Sequence, residues 1–460
     1  MLDDTIAAIA TPLGEGGIGI VRISGSESIE IAKKIFKPKY NNNWHQGPGF
    51  RVVYGHVIDK NNQQPIDEVL LTIMRGPKSF TGEDVIEINC HGGILPLRKI
   101  LNIVLKNGAV LAEPGEFSKR AFLNGRLDLA QAESIINIIR SKTEKALEIS
   151  MGQLQGRLST QINILQNDLL GILAQIEAKI DFPEDDIDEV TLEDVVQKCS
   201  NIKDDLNKLI ASADNGKIYQ EGVKTVIVGK PNVGKSSILN ALTKENRAIV
   251  TEIPGTTRDI IEEIININGI PLKIIDTAGL RETDDLVERI GVERSRELIN
   301  EADLILFVVD ASLGLKEEDY EIIKLIENKK IMVIINKIDV KDVKIDRNQI
   351  SKLLPGPIIE ISALYAQGLE CLEQQIAELI LGGQITVDDQ VLVTSARHKQ
   401  ALEKARDHVQ EIINGIKADV PGDIVSIDVK SAWEALGEIT GTTVGEDLVD
   451  KIFKDFCIGK

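Results

Sequence analysis

At 460 residues the chain exceeds what a single hydrophobic core organises, and about three domains of ~150 residues are expected. Its formal net charge of −19 excludes an autonomous nucleic-acid binder with a basic footprint, so any nucleic-acid substrate needs a local basic patch or a basic partner. The four cysteines (Cys90, Cys199, Cys371, Cys457) are too scattered for a zinc or disulfide framework. With no basic leader and no apolar run near ~20 residues, a cytoplasmic protein without a membrane span is expected.

Residues 1–120 read as an α+β unit. Strand-like runs fall at 5–10, 19–23, 52–58, 69–74 and 85–89, with helical segments near 28–36 and 95–105. Gly14-Glu15-Gly16-Gly17-Ile18-Gly19 matches the dinucleotide fingerprint letter for letter, but that motif must open a helix. Here it leads into the β-branched run Ile20-Val21-Arg22-Ile23, so a glycine hairpin is expected instead.

Residues 121–218 turn helical. Met151, Leu154, Leu158, Ile162, Leu165, Leu169, Ile172, Ile176 and Ile180 step by three or four, the stripe of one long amphipathic helix packed on partners. Residues 384–460 carry a second helical pattern, with Leu402, Ala405, Val409, Ile412 and Ile416 on one face. Between them, residues 219–383 alternate β-branched runs with helical segments. The expected architecture is therefore multidomain: an N-terminal α+β domain, and an α-helical domain with an α/β domain inserted into it.

The inserted segment carries the chemistry. Gly229-Lys230-Pro231-Asn232-Val233-Gly234-Lys235-Ser236 is a phosphate-binding P-loop in its required setting, after the apolar run 223–228 and before a helical pattern. Its glycines let backbone N–H groups turn toward phosphate oxygens, and the helix N-terminus adds a positive dipole end. Lys235 is suited to the β- and γ-phosphates and the Ser236 hydroxyl to Mg²⁺. In Thr251-Glu252-Ile253-Pro254-Gly255-Thr256-Thr257-Arg258-Asp259, one of the last two threonines can place a hydroxyl on Mg²⁺. Asp276-Thr277-Ala278-Gly279 follows the run 272–275 and offers a carboxylate for the metal's outer shell and a glycine N–H for the γ-phosphate. In Asn336-Lys337-Ile338-Asp339, the Asp339 carboxylate can accept from guanine N1–H and the exocyclic amine, which adenine cannot offer. Ser362-Ala363-Leu364 fits a loop whose backbone meets guanine O6. Five such motifs in order, each at a strand's C-terminal end, point to a GTP-binding P-loop domain. Asn268-Gly269 reads as a hairpin turn between the second and third of them.

Hydrolysis needs a water-orienting group, yet Leu280 follows Gly279 where many GTPases carry a glutamine. Glu282, Asp285 and Glu288 lie just beyond, and spacing alone leaves the choice among them open.

With Cys457-Ile458-Gly459-Lys460 at the end of the chain, these motifs resemble the MnmE (TrmE) family of tRNA-modification GTPases along the whole sequence. The resemblance implies GTP contacts from Asn232, Val233, Gly234, Lys235, Ser236, Ser237, the 251–257 and 276–279 loops, Asn336, Lys337, Asp339 and the 362–364 loop. It makes Thr257 the Mg²⁺ threonine beside Ser236, and Glu288 the catalytic glutamate. It implies a potassium ion held by the Asn232 side chain, the carbonyls of Thr251 and Ile253, and Thr256. That ion takes the place of an arginine finger, a role worth roughly 10³–10⁵ in rate. Pro254 stands where a small residue is common in the family. Since the adjacent ligands are backbone carbonyls, little effect is expected.

For residues 1–120 the resemblance implies a tetrahydrofolate-binding domain. Arg22, Glu83, Arg126 and Lys460 would hold a 5-formyl- or methylene-tetrahydrofolate, and Cys457 would serve tRNA modification. Without it, Arg22 and Glu83 read as ordinary surface charges, and Cys457 as a small hydrophobe beside Phe453 and Phe456. The implied assembly is a homodimer joined by the flavoprotein MnmG in a heterotetramer, adding an aminomethyl or carboxymethylaminomethyl group at C5 of the tRNA wobble uridine. A ribosome-assembly GTPase and a folate-sensing, GTP-gated scaffold are the alternative function classes.

Overall fold

A computed structural model describes every residue except 1–3, 41, 48, 60–63, 182–191, 247–261, 276–296, 383–390 and 460. The chain divides into two compact units. Met1–Ile139, Gly152–Asp204 and Ala401–Lys460 make up one, and Arg140–Met151 and Asp205–Gln400 the other.

In the first unit, β1 (Ile6–Ile9), β2 (Ile18–Ser24), β3 (Phe36–Pro38), β4 (Arg51–Asp59), β5 (Gln64–Met74), β6 (Val85–His91) and β7 (Val110–Leu111) form one sheet. Their order is β3-β4-β5-β6-β2-β1-β7. All neighbours are antiparallel except β1 and β7. The five expected strands and both helices, α1 (Ser28–Ile35) and α2 (Ile94–Lys106), are present. Edge strands β3 and β7, of three and two residues, were too short to leave a periodic trace. Strand alternation puts Val21 and Ile23 into the core with Ile86, Ile88, Ile31 and Leu97. It leaves Arg22 and Ser24 together on the opposite face. As expected, the glycine-rich segment joins two antiparallel strands, with Ile9 opposite Val21.

The helices of this unit include α3 (Glu116–Leu123), α4 (Leu129–Arg140) and, later, α6 (Arg157–Asp181). One expectation is corrected here. Met151 and Leu154 lie on α5 (Glu144–Leu154), and a turn closed by Gly156 N–H to the Gln153 carbonyl (2.9 Å) separates it from α6. The stripe is therefore two helices. Leu158, Ile162, Leu165, Leu169 and Ile172 are buried, whereas Met151 is exposed. A spacing of three or four passes unchanged through a short turn, so periodicity alone did not register the break.

Helix α7 (Leu192–Glu221), which belongs to the second unit from Asp205 onward, leads into β8 (Val223–Val228) and α8 (Lys235–Asn246). Next come β9 (Glu262–Ile267), β10 (Ile270–Ile275), β11 (Leu304–Asp310), α9 (Glu317–Ile326) and β12 (Ile331–Asn336). Then follow α10 (Arg347–Leu353), β13 (Ile358–Ile361) and α11 (Leu369–Leu381). The sheet order is β13-β12-β11-β8-β10-β9. It is parallel except for β9, which pairs with β10 through the Asn268-Gly269 turn. Both faces of the central strands are covered, which is why β11 and β12 are apolar up to their last residue and buried at every position. Ile227, Leu306 and Ile334 pack toward Leu372 and Ile376 of α11, whereas Val226, Phe307 and Val333 pack toward Ile323 and Ile326 of α9. This doubly wound α/β layer carries β8, β11, β12 and β13 to a common C-terminal edge.

Helices α12 (Ala396–Lys417), α13 (Gly422–Thr440) and α14 (Glu446–Lys454) end the chain. Gln166 of α6 donates to the Trp433 carbonyl of α13 at 3.1 Å. Among the described residues no helix is long and apolar enough to cross a membrane.

Candidate functional site

The phosphate loop turns from β8 into α8. Gly234 has φ +100°, and a Cβ there would collide with Nδ2 of Asn336. Only glycine fits, because a side chain would be both strained and blocked. The Lys235 ammonium donates to the carbonyls of Gly229 at 2.7 Å and Lys230 at 2.8 Å, which leaves one of its three protons for a ligand. Burial holds Lys235 below the usual lysine range. The ammonium is thus partly desolvated beside the helix N-terminus, where a phosphate would replace the lost water. Asn232, Ser236 and Ser237 are exposed, and Val233 is buried.

The loop after β12 is tied directly to that phosphate loop. Asn336 Nδ2 donates to the Val233 carbonyl at 2.9 Å, and its Oδ1 accepts from Ala363 N–H at 3.1 Å. Lys337 Nζ donates to the Asn232 carbonyl at 2.7 Å and to Asp310 at 2.6 Å. Asp339 Oδ1 accepts from the Ser362 hydroxyl at 2.6 Å. Ser362 in turn forms a two-way backbone bridge with Gln367, which fixes the 362–364 loop, and Leu364 at its end is exposed. The loops after β8, β12 and β13 therefore converge, and Asn336, Lys337, Asp339, Ser362 and Ala363 come together with the 232–235 segment. The expected residues Thr251, Glu252, Ile253, Pro254, Gly255, Thr256, Thr257, Asp276, Thr277, Ala278, Gly279 and Glu288 lie outside the described residues.

In the first unit two of the expected residues, Arg22 and Arg126, meet at Phe80. The guanidinium of Arg22 lies 5.6 Å from the Phe80 ring centroid and 5.5 Å from that of Phe117. That of Arg126 lies 5.0 Å from Phe80 and donates to its carbonyl at 2.8 Å. Arg22 also donates to Glu87 at 2.8 Å and to the Gly459 carbonyl at 3.0 Å. Glu83 accepts from the Ser24 hydroxyl at 2.6 Å and from Arg120 at 3.1 Å. The chain end is docked as well. Phe453 and Phe456 are buried with their rings 5.0 Å apart, and the Cys457 carbonyl accepts from Gly115 N–H at 3.4 Å. Gly459 has φ +90°, and a Cβ there would stand 2.9 Å from the Ala10 Cα and collide with the Ile9 carbonyl. Cys457 itself is exposed, which corrects the reading of it as a small hydrophobe packed by Phe453 and Phe456. Lys460 lies outside the described residues.

Residues 5–126 match the family described as the GTP-binding protein TrmE N-terminus, and residues 129–457 match the MnmE helical domain. The tRNA modification GTPase MnmE of Desulforamulus reducens is 61% identical over the full length of both chains, and that of Alkaliphilus oremlandii 54%. The chain belongs to the MnmE family of tRNA-modification GTPases. Among solved structures, the G domain of the T. maritima FeoB iron transporter is 31% identical over 34% of this chain and 98% of its own, with a TM-score of 0.26.

Within this MnmE-family chain, two supporting residues escaped the sequence reading. Asp310 ends β11 and receives Lys337 and Ser312. Burial pulls its carboxyl upward, but the hydrogen bonds from Lys337 and Ser312 outweigh that and leave it below the usual range. A lone carboxylate ending an apolar strand was the available signal. Arg120 is only 2% exposed and links Glu83, Glu116 and the Asp4 carbonyl. The Glu116-x-x-x-Arg120 spacing hinted at a helix pair, but nothing in the sequence ties it to Glu83.

Proposed function

We propose that the chain hydrolyses GTP under potassium activation and, as a homodimer with a flavoprotein partner of the MnmG type, modifies C5 of the tRNA wobble uridine. The observation that carries the nucleotide reading is the direct joining of the phosphate loop to the base-reading loop through Asn336 and Lys337. A nucleotide spanning these loops meets Lys235 at its β- and γ-phosphates and Asp339 at its base. The chain's residues bind and orient the nucleotide, and Glu288 orients the attacking water.

The donor chemistry fits the implied metals. The exposed Ser236 hydroxyl and the Asn232 amide oxygen are hard oxygen donors beside the phosphate loop. Ser236 and Thr257 would hold Mg²⁺. Asn232, Thr251, Ile253 and Thr256 would hold K⁺, supplying positive charge where the transition state becomes negative. Two guanidiniums at Phe80 suit a planar ligand with an anionic tail, as a 5-formyl- or methylene-tetrahydrofolate is, and the Glu83 carboxylate held by Ser24 and Arg120 suits its donors. Arg22, Glu83, Arg126 and Lys460 would hold it, and the folate would supply the one-carbon unit of the aminomethyl or carboxymethylaminomethyl group. The docked tail keeps Cys457 exposed near that pocket, and the tRNA would be held largely with the partner because the chain is acidic.

The deciding experiment is mass spectrometry of tRNA nucleosides from a strain lacking its own MnmE-family protein and supplied with this chain. The expected result is restored C5-modified wobble uridine. Unmodified uridine despite normal GTP hydrolysis would favour the scaffold alternative.

A further inference from the structure

The second residue of the phosphate loop makes a contact that the nucleotide site does not itself use. Lys230 is 8% exposed, and its Nζ lies 2.6 Å from Oδ2 of Asp319, which is 1% exposed. The distance is that of an ion pair, although the angle falls outside hydrogen-bond geometry, and among the described residues Nζ has no other acceptor. Asp319 sits in the first turn of α9. Its Oδ2 also accepts from Lys316 N–H at 2.9 Å, and its Oδ1 is buried without a hydrogen-bond partner. A buried ion pair with incomplete hydrogen bonding is poor value for stability, since apolar residues of similar size usually do as well. Its position is what distinguishes it. The backbone carbonyl of Lys230 is one of the two acceptors that orient the Lys235 ammonium.

We infer that the Lys230–Asp319 pair is a positioning device for Lys235, anchoring the Lys230 carbonyl to α9 so that the third Lys235 proton points toward the phosphates. The anchor works by charge. Lys230 is drawn inward to the Asp319 carboxylate, and its carbonyl is thereby presented to Lys235. α9 is held by the capping contact at Lys316 and by Ile323 and Ile326 in the core. The inference rests on the reading of residues 229–236 as the GTP phosphate loop.

The test compares Lys230→Met, Lys230→Arg and the double variant Lys230→Met/Asp319→Leu in the full-length chain. It measures thermal stability and the affinity for GTP and GDP with Mg²⁺ present. Lys230→Met leaves a buried charge unpaired, so it is expected to lower both stability and affinity. The double variant removes both charges and is expected to regain stability, yet still bind GTP about tenfold or more weakly, a difference of roughly 1.4 kcal/mol. Lys230→Arg keeps the charge and is expected to retain most of the affinity. A stable double variant that binds GTP like the wild type would overturn the inference and leave the pair purely structural. So would a Lys230→Arg variant as weak as Lys230→Met. Failure of the wild-type chain to bind GTP would overturn the phosphate-loop reading instead.

Discussion

Asn336 reaches 103 residues back along the chain to donate to the Val233 carbonyl at 2.9 Å, while Ala363 donates to its other end. One side chain thereby ties together the loops after β8, β12 and β13.

The proposed nucleotide site assigns guanine selection to Asp339, whose Oδ1 accepts from the Ser362 hydroxyl at 2.6 Å. Asp339→Asn is expected to lower GTP affinity roughly a hundredfold and to raise affinity for xanthosine triphosphate, whose base offers an oxygen in place of the amine. Competition binding with both nucleotides checks this, and equal GTP affinity in the two proteins would remove Asp339 from the base site.

Gly234→Ala places a methyl group against Nδ2 of Asn336 in a backbone conformation unsuited to alanine. The strain and the broken contact each cost about 1–3 kcal/mol. Calorimetry is expected to show a lower melting temperature and GTP binding too weak to measure, whereas the fold of the other unit persists.

For hydrolysis, turnover is expected to rise with potassium and with protein concentration, and Asn232→Ala should abolish the potassium response. Glu288→Ala should leave GTP affinity near normal while turnover falls by about 10²–10⁴. Steady-state phosphate release in potassium and in sodium, alongside GTP titrations, separates the two. Full activity in sodium alone would refute the ion's role.

The tail makes a separate prediction. Cys457→Ser should eliminate C5 modification of the wobble uridine in vivo while potassium-stimulated GTP hydrolysis continues in vitro. Gly459→Ala is expected to lose modification too, because its Cβ collides with the Ile9 carbonyl that the tail packs against. Unchanged nucleoside profiles for both would leave the docked tail without a chemical task.

The thiols differ by burial, and pH should reveal it. Burial pushes both buried thiols up to about 11, with the Asp67 charge adding to the effect at Cys90. Native protein is expected to react with a thiol reagent at the exposed Cys371 and Cys457, with Cys90 and Cys199 reacting after denaturation. The folded state disfavours both thiolates, so above pH ~9 the unfolded chain binds fewer protons and stability falls until the pH passes ~11. Denaturant titrations across that range, with Cys199→Ala as the reference, measure the slope.

By itself the sequence determined that the loops after β8, β12 and β13 stand at the ends of parallel strands. The Gly229–Ser236 loop, Asn336 to Asp339 and Ser362 to Ala363 are short contiguous strings, and each carries its own strand, turn or helix start. It also determined the strands around Arg22 and the hairpin at Asn268, because alternation and turn chemistry act between near neighbours. Tertiary structure alone decided the rest. It divided one apolar stripe into α5 and α6, seated Arg120 on Glu83 and Lys230 on Asp319, and brought the Gly459 carbonyl to Arg22 across 437 residues. Such pairings depend on which elements pack together. That choice is made by burial summed over whole faces of sheet and helix, and no local spacing in the chain records it.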